Sequence, residues 1–162
     1  MLVRHAKAAD GPVDVDRSLT ERGARRAAAI GTWLEQAGFV PDRVLVSPAR
    51  RAVQTWEQAD TALPQGPPPT LDPRIYDNTV EALLAAIQET PDDVGTLAVV
   101  GHNPSIGELV AVLDDGQGSP AARRDADAGF PTGSVAVFLL ATPFAGIAPG
   151  AGTLDDVTVP GG

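Results

Sequence analysis

Apolar runs of strand length alternate along this chain with segments of helical period. The strand-like runs fall at Leu2–Arg4, Arg43–Ser47, Thr96–Gly101, Val135–Leu140 and Thr153–Val159. Helices are expected near residues 20–37, 48–63, 79–90 and 104–114. Such alternation predicts an α/β fold rather than an all-β one. The run Leu97-Ala98-Val99-Val100 is uninterrupted, as expected of a strand covered on both faces. The first run holds only Met1-Leu2-Val3 before Arg4, short beside the usual strand of about five or six residues, so it reads as a clipped first strand.

Punctuation sharpens the helices. Thr20 is a good cap for the helix at 20–37 and Gly38 a good residue to end it, with Ala27, Ile30, Leu34 and Ala37 as its buried stripe. The helix at 48–63 is expected to take Ser47 as cap and Pro48 as its first residue, burying Ala52, Trp56, Ala59 and Leu63. Trp56 therefore reads as core. Residues 64–69 read as a stiff proline-rich connection, and residues 115–129, without period, as a mobile surface loop. Neither looks like a domain boundary and no repeat is evident, so residues 1–162 are expected to form one domain.

Composition excludes several chemistries. The chain has no cysteine, which removes cysteine phosphatases, zinc ribbons and disulfide scaffolds. Its one lysine, Lys7, has no preceding glycine, so no P-loop can form. With 21 acidic against 12 basic residues, a net charge of −9 and 4% aromatics, nucleic-acid binding is not expected. No run approaches membrane-spanning length and no signal peptide is seen, so the expectation is a cytoplasmic protein with no membrane partner. Two look-alike motifs fail on context. Asp14-Val15-Asp16-Arg17-Ser18 mimics an aspartate-nucleophile phosphatase motif but follows no hydrophobic strand, and Gly116-x-Gly118-x-x-Ala121 follows none either.

The only two histidines, His5 and His102, each follow a strand. Ligands of open α/β sheets bind outside the carboxyl ends of the strands, so two such residues can face one crevice. Either histidine alone is more simply a hydrogen-bonded surface residue. Their neighbours favour a site. Arg4 precedes His5, and a guanidinium grips phosphate oxygens through two parallel hydrogen bonds. Arg51 lies in the first turn after the second long strand and leans back toward the sheet end, while Arg50 faces elsewhere. Asn103-Pro104 opens a helix whose free N–H groups and positive dipole end lie near His102. Two arginines, two histidines and a helix N-terminus suit one small phosphoryl group. The carboxylate-poor surroundings argue against a metal, and no cofactor is expected.

These motifs resemble the histidine phosphatase superfamily: Arg4-His5-Ala6, Ser47-x-x-x-Arg51-Ala52-x-x-Thr55 and Gly101-His102. More narrowly, Arg4-His5-Ala6-Lys7, Asp16-Arg17-x-Leu19-Thr20-x-x-Gly23, Val46-Ser47-Pro48, Arg51-Ala52-x-Gln54-Thr55 and Gly101-His102-Asn103-Pro104 resemble the small SixA-type phosphohistidine phosphatases. The resemblance implies a three-layer α/β/α sandwich with a largely parallel central sheet, like the phosphoglycerate mutases. It implies that His5 is the nucleophile and becomes a transient phosphohistidine. Arg4, Arg51 and His102 would hold the phosphoryl group, with Arg17 near the pocket, although a salt bridge to Asp14 or Asp16 would also explain Arg17. Asn103 and Lys7 join the substrate-binding candidates; Lys7 is equally explained as a solvated lysine.

Two departures bear on mechanism. Ala6 stands where the commonest family form has glycine, which is tolerable if φ at residue 6 is negative. Many members carry an acidic proton donor between the second and third motifs; here only Asp77 and Glu81 are candidates, and Glu81 also suits a helix first turn. An alkoxide leaving group needs a proton, whereas imidazole leaving from phosphohistidine needs less help. The expected activity is a metal-independent phosphohydrolase acting on phosphohistidine, on a protein or a small phosphorylated substrate. The alternatives are a phosphatase for small phosphate esters and a catalytically silent phosphate-binding module. The pattern does not specify an oligomeric state.

Overall fold

A computed structural model describes residues 1–63 and 66–162. Residues 64 and 65, within the expected stiff connection, lie outside the described residues. The strands are β1 (Leu2–Arg4), β2 (Arg43–Val46), β3 (Thr70–Leu71), β4 (Leu97–Gly101), β5 (Val135–Leu140) and β6 (Gly152–Thr158). The helices are α1 (Glu21–Ala37), α2 (Arg50–Asp60), α3 (Pro73–Asp77), α4 (Val80–Gln88), α5 (Ser105–Leu113) and α6 (Pro120–Asp127). The strands form one sheet in the order β3-β2-β4-β1-β5-β6. The pairings from β3 through β1 are parallel, while β5 runs antiparallel to both β1 and β6. The expected α/β sandwich with a largely parallel sheet is the architecture found.

Side-chain alternation explains the three layers. On one face Leu2, Leu45, Leu97 and Val99 meet Ile75, Leu83, Ile106 and Leu109 of α3, α4 and α5. On the other, Val3, Val44, Val46, Ala98 and Val100 meet Ile30 and Leu34 of α1 and Ala52 and Trp56 of α2. A strand buried on both faces must be apolar throughout, which is why β4 carries no polar position. Trp56 is core, as its helical stripe predicts.

The ends of α1 follow the expected chemistry. Thr20 Oγ1 accepts the Gly23 N–H at 3.0 Å, and Gly38 closes the helix in the left-handed conformation at φ 75°. Ala37, placed on the buried stripe by spacing, is instead exposed at the last turn.

Three differences from the sequence expectation concern elements. Helix α2 begins at Arg50, not at Pro48, and Ser47 does not cap it. The stretch expected to be a mobile loop contains α6, capped by Ser119 Oγ accepting from Ala122 N at 3.2 Å, with Pro120 in its first turn. A cap and a proline signal a helix start even where, as in Pro120–Asp127, the helix carries no apolar side chain larger than alanine beyond its proline. Strand β3 and helix α3, too short for periodicity to register, were not expected.

Candidate active site

The parallel ladder brings the two histidines together. Arg4 pairs in register with Gly101, and Val46 with Val100, so β1, β2 and β4 end level. The backbone of His5 donates to Gly101 O at 3.0 Å, and the Arg4 amide donates to Ser134 O of the adjoining segment at 3.0 Å. His5 and His102, one step beyond their strands, have ring centroids 5.1 Å apart.

Hydrogen bonds fix the state of each ring. His5 Nδ1 lies 2.7 Å from the carbonyl oxygen of Ala6. A carbonyl only accepts, so Nδ1 carries the proton and Nε2 keeps its lone pair. Arg51 Nε donates to that Nε2 at 3.3 Å. His102 Nε2 lies 2.7 Å from Ser47 Oγ, which also accepts the Ala49 N–H at 3.3 Å. Among the described residues, His102 Nε2 is the acceptor within reach of the Ser47 hydroxyl hydrogen. His102 therefore holds its own proton on Nδ1, which is buried with no protein partner.

The electrostatics follow from burial. His5 is pushed down to about 4, chiefly by burial, with Arg51 and Arg4 adding to the shift against the Ala6 hydrogen bond. His102 is pushed down to about 3 by burial first, then by His5 and Arg51. Both rings are therefore neutral at pH 7.

The arginines close around them. Arg51, only 7% exposed, reaches His5 from the first turn of α2. Arg4 Nη1 donates to Phe130 O at 2.8 Å, and its Nε is buried with no protein partner. Arg50 faces solvent, as the helical spacing predicts. Thr55 ties the parts together: its hydroxyl accepts the Ala6 N–H at 3.0 Å and donates to Arg51 O at 2.6 Å. Non-glycine positive φ is confined to Asn78 among the described residues, so Ala6 sits without strain.

Arg4, His5, Arg51 and His102 thus share one cluster. Arg17 Nη1 contacts Asp14 Oδ1 at 3.1 Å, and its Nε donates to Ala9 O at 2.9 Å. The Lys7 side chain is exposed, while its carbonyl accepts from Thr20 N at 2.9 Å. Asn103 spends its amide elsewhere: Nδ2 donates to Phe130 O at 3.1 Å and Oδ1 accepts from Gly107 N at 3.1 Å. The helix N–H groups expected to be free beside His102 are not. Ser105 N donates to Asn78 Oδ1 at 3.1 Å, Ile106 N to His102 O at 2.9 Å, and Gly107 N to Asn103. Backbone amides buried this deeply find protein acceptors, which removes them from ligand binding. Asp77 and Glu81 are both exposed, and neither makes a hydrogen bond or ion pair to the cluster among the described residues.

Two residues unforeseen as members of the site lie in it. Tyr76 stands edge-on to His102, ring centroids 5.9 Å apart, and its phenol donates to Asp14 Oδ2 at 2.9 Å. Asp14 also accepts from Arg51, at 2.8 Å on its carbonyl and 3.1 Å on its carboxylate. The Tyr76 phenol, then Arg17 and Arg51, hold the Asp14 carboxyl down to about 2. The i, i+3 spacing of Asp14 and Arg17 was the sequence signal for part of this network. The Tyr76 contact spans 62 residues and left none. Among the described residues no group of three or more His, Cys, Asp or Glu could hold a metal ion.

Residues 1–82 match the family model of the histidine phosphatase superfamily, branch 1. The chain belongs to the histidine phosphatase superfamily. It is also 36% identical over 124 residues to phosphohistidine phosphatase SixA of Escherichia coli K12, covering 74% of this chain and 76% of that protein. An uncharacterized protein of Mycobacterium tuberculosis H37Rv is 37% identical over 161 residues, 98% of this chain and 99% of its own. A solved structure of the protein histidine phosphatase SixA complexed with tungstate superposes with TM-score 0.79 at 30% identity, covering 98% of this chain and 95% of that one. Within the superfamily the chain is of the SixA type, and a phosphatase is the enzyme class these matches support.

Proposed function

We propose that this SixA-type member is a metal-independent phosphohydrolase that removes a phosphoryl group from phosphohistidine, with residues 1–162 as one catalytic domain. The observation carrying this reading is a neutral His5 whose Nε2 lone pair faces Arg51 in a partly buried cluster with Arg4 and Arg17 close by. In the proposed reaction Nε2 forms a bond to phosphorus as the bond to the leaving imidazole breaks. Water then cleaves the phosphoenzyme, releasing phosphate and returning neutral His5. Arg4 and Arg51 take the charge of the equatorial oxygens, and the His102 Nδ1–H donates to one of them. Asn103 acts by positioning Phe130 O, which in turn orients Arg4; Lys7 and Arg17 contribute positive potential at the mouth.

Among the described residues, no protonated carboxylic acid stands at the cluster. The carboxylate touching the cluster, Asp14, is held at about 2 and is ionised at working pH. It has no proton to give an alkoxide, and the exposed Asp77 and Glu81 make no bond to the cluster. Imidazole leaves from a ring-protonated phosphoimidazole without such help, so a P–N substrate fits best, carried by a protein or a small molecule.

Quenching in alkaline detergent during turnover of labelled phosphohistidine, which preserves a P–N bond, tests the reading. Label is expected on the wild-type chain and none on His5→Ala, which should also lose turnover. Normal turnover by His5→Ala overturns the nucleophile assignment. Phosphate binding with neither label nor turnover makes the chain a binding module. A large preference for phosphoserine over phosphohistidine makes it an ester phosphatase.

A further inference from the structure

One carboxylate in the cluster is bound as an anionic ligand would be. Asp14 Oδ2 accepts from Arg51 Nη2 at 3.1 Å and from the Tyr76 phenol at 2.9 Å, and its Oδ1 accepts from Arg17 Nη1 at 3.1 Å. Its carbonyl takes Arg51 Nη1 at 2.8 Å. The remaining nitrogen of Arg51, Nε, donates to His5 Nε2 at 3.3 Å. All three nitrogens of Arg51 are thus engaged, one by the candidate nucleophile and two by Asp14. Nothing else about Asp14 calls for so many partners. It sits in a three-residue 3-10 turn with no buried residue, and its side chain is 52% exposed.

We infer that Asp14 is an internal stand-in for the phosphoryl group, a specificity-determining carboxylate that substrate must displace from Arg51, Arg17 and Tyr76. The inference rests on the proposed role of Arg51 in holding the phosphoryl group. When a phosphoryl group enters, its oxygens take over the three donors that Asp14 gives up. Arg17 and Tyr76 thereby become phosphoryl ligands alongside Arg4 and Arg51. A phosphoryl dianion outcompetes a single carboxylate for two guanidinium groups, because it carries more charge and three acceptor oxygens. Weaker anions, a carboxylate of a metabolite for instance, face a resident competitor of their own kind. The same competition works after hydrolysis: Asp14 returns to Arg51 as inorganic phosphate leaves, so the device lowers product inhibition. Charge repulsion between Asp14 and the phosphoryl group acts in the same direction.

Calorimetric titration of inorganic phosphate into the full chain tests this, with wild type, Asp14→Asn, Arg51→Ala and Asp14→Asn/Tyr76→Phe compared at one salt concentration. Asp14→Asn keeps the side-chain shape and removes the charge. It is expected to tighten phosphate binding by about threefold or more, the scale of a half-exposed ion pair, and to strengthen product inhibition of turnover. Adding Tyr76→Phe to Asp14→Asn is expected to weaken phosphate binding again. Circular dichroism melts confirm that each variant is folded before titration, and Asp14→Ser replaces any asparagine variant that is not. Unchanged or weaker phosphate binding in folded Asp14→Asn, while Arg51→Ala loses binding, overturns the inference and leaves the reading of the site intact. Wild-type phosphate affinity in Arg51→Ala overturns the reading itself. An Asp14→Asn/Tyr76→Phe protein that binds phosphate as tightly as Asp14→Asn removes Tyr76 from the ligand set.

Discussion

At the scale of single residues, the histidines carry the pH dependence of the fold and, in the proposed reaction, of the chemistry. A free histidine titrates near pH 6.5, but His5 is pushed down to about 4 and His102 to about 3. Between those values and about 6.5 the unfolded chain binds protons that the folded chain refuses. Folding stability from these two groups is therefore complete above pH 6.5, falls progressively below it, and is gone once pH passes about 4 for His5 and about 3 for His102. Asp14, held at about 2, works in a lower window, because its unfolded counterpart protonates only below about pH 4. Thermal melts at half-unit steps should show Tm falling between pH 6.5 and 4.5, before the carboxylates contribute, with a shallower fall in His102→Asn. A Tm flat across that interval would mean that neither ring is held neutral by the fold. Residue chemistry was the most legible level. The two histidines and the arginines beside them were visible because scarce residue types stood at strand ends. Ser47 was misassigned because a serine before Pro48 reads as a helix cap, whereas the folded chain gives its hydroxyl to His102, 55 residues away.

At the scale of elements, the position of the His5 segment depends on how closely α1 approaches it. Thr20, the cap of α1, donates through both its amide and its hydroxyl to the carbonyl of Lys7, at 2.9 and 3.2 Å. Three residues on, Gly23 lies so close to the same carbonyl that a Cβ would fall inside its contact radius. In an open helix Gly→Ala gains about 1 kcal/mol of propensity. Here the backbone of residue 7, two positions from His5, would have to move. Overpacking of this kind costs about 1–3 kcal/mol. Gly23→Ala is thus expected to lower stability in urea unfolding and to reduce kcat more than KM, through a displaced His5. A stabilised variant with normal kcat would show that α1 does not set the position of the segment. Elements with a long period or two-sided burial were readable from the sequence: α1, α4, α5, β4 and β5 fall within a residue or two of expectation. Helix α3 was not, since five residues give no period. It nonetheless matters, because it carries Tyr76 and ends at Asn78, whose amide takes up the first N–H of α5.

At the scale of the whole molecule, charge and site oppose each other. The chain carries −9, yet Arg4, Arg17 and Arg51 converge on the cluster, with Arg50 and Lys7 exposed on the segments that carry it. These two fields respond differently to salt. The Debye length is about 30 Å at 0.01 M and about 8 Å at 0.15 M, so added salt first removes the repulsion spread over the surface. In the proposed reaction the phosphoryl group meets Arg4 and the buried Arg51 at short range, and such contacts are screened far less. An acidic phosphoprotein feels the distant field across a wide surface, whereas a small phosphoramidate entering the cluster feels chiefly the arginines. For an acidic protein substrate, kcat/KM is therefore expected to rise from 0.01 M to about 0.15 M salt, while for a small substrate it falls over the same range. The separation between the two trends is the informative quantity, because effects of salt on folding or on the chemical step move both substrates alike. Parallel declines would mean that the positive cluster controls encounter with proteins as well, and that the surface charge lies too far from the mouth to matter.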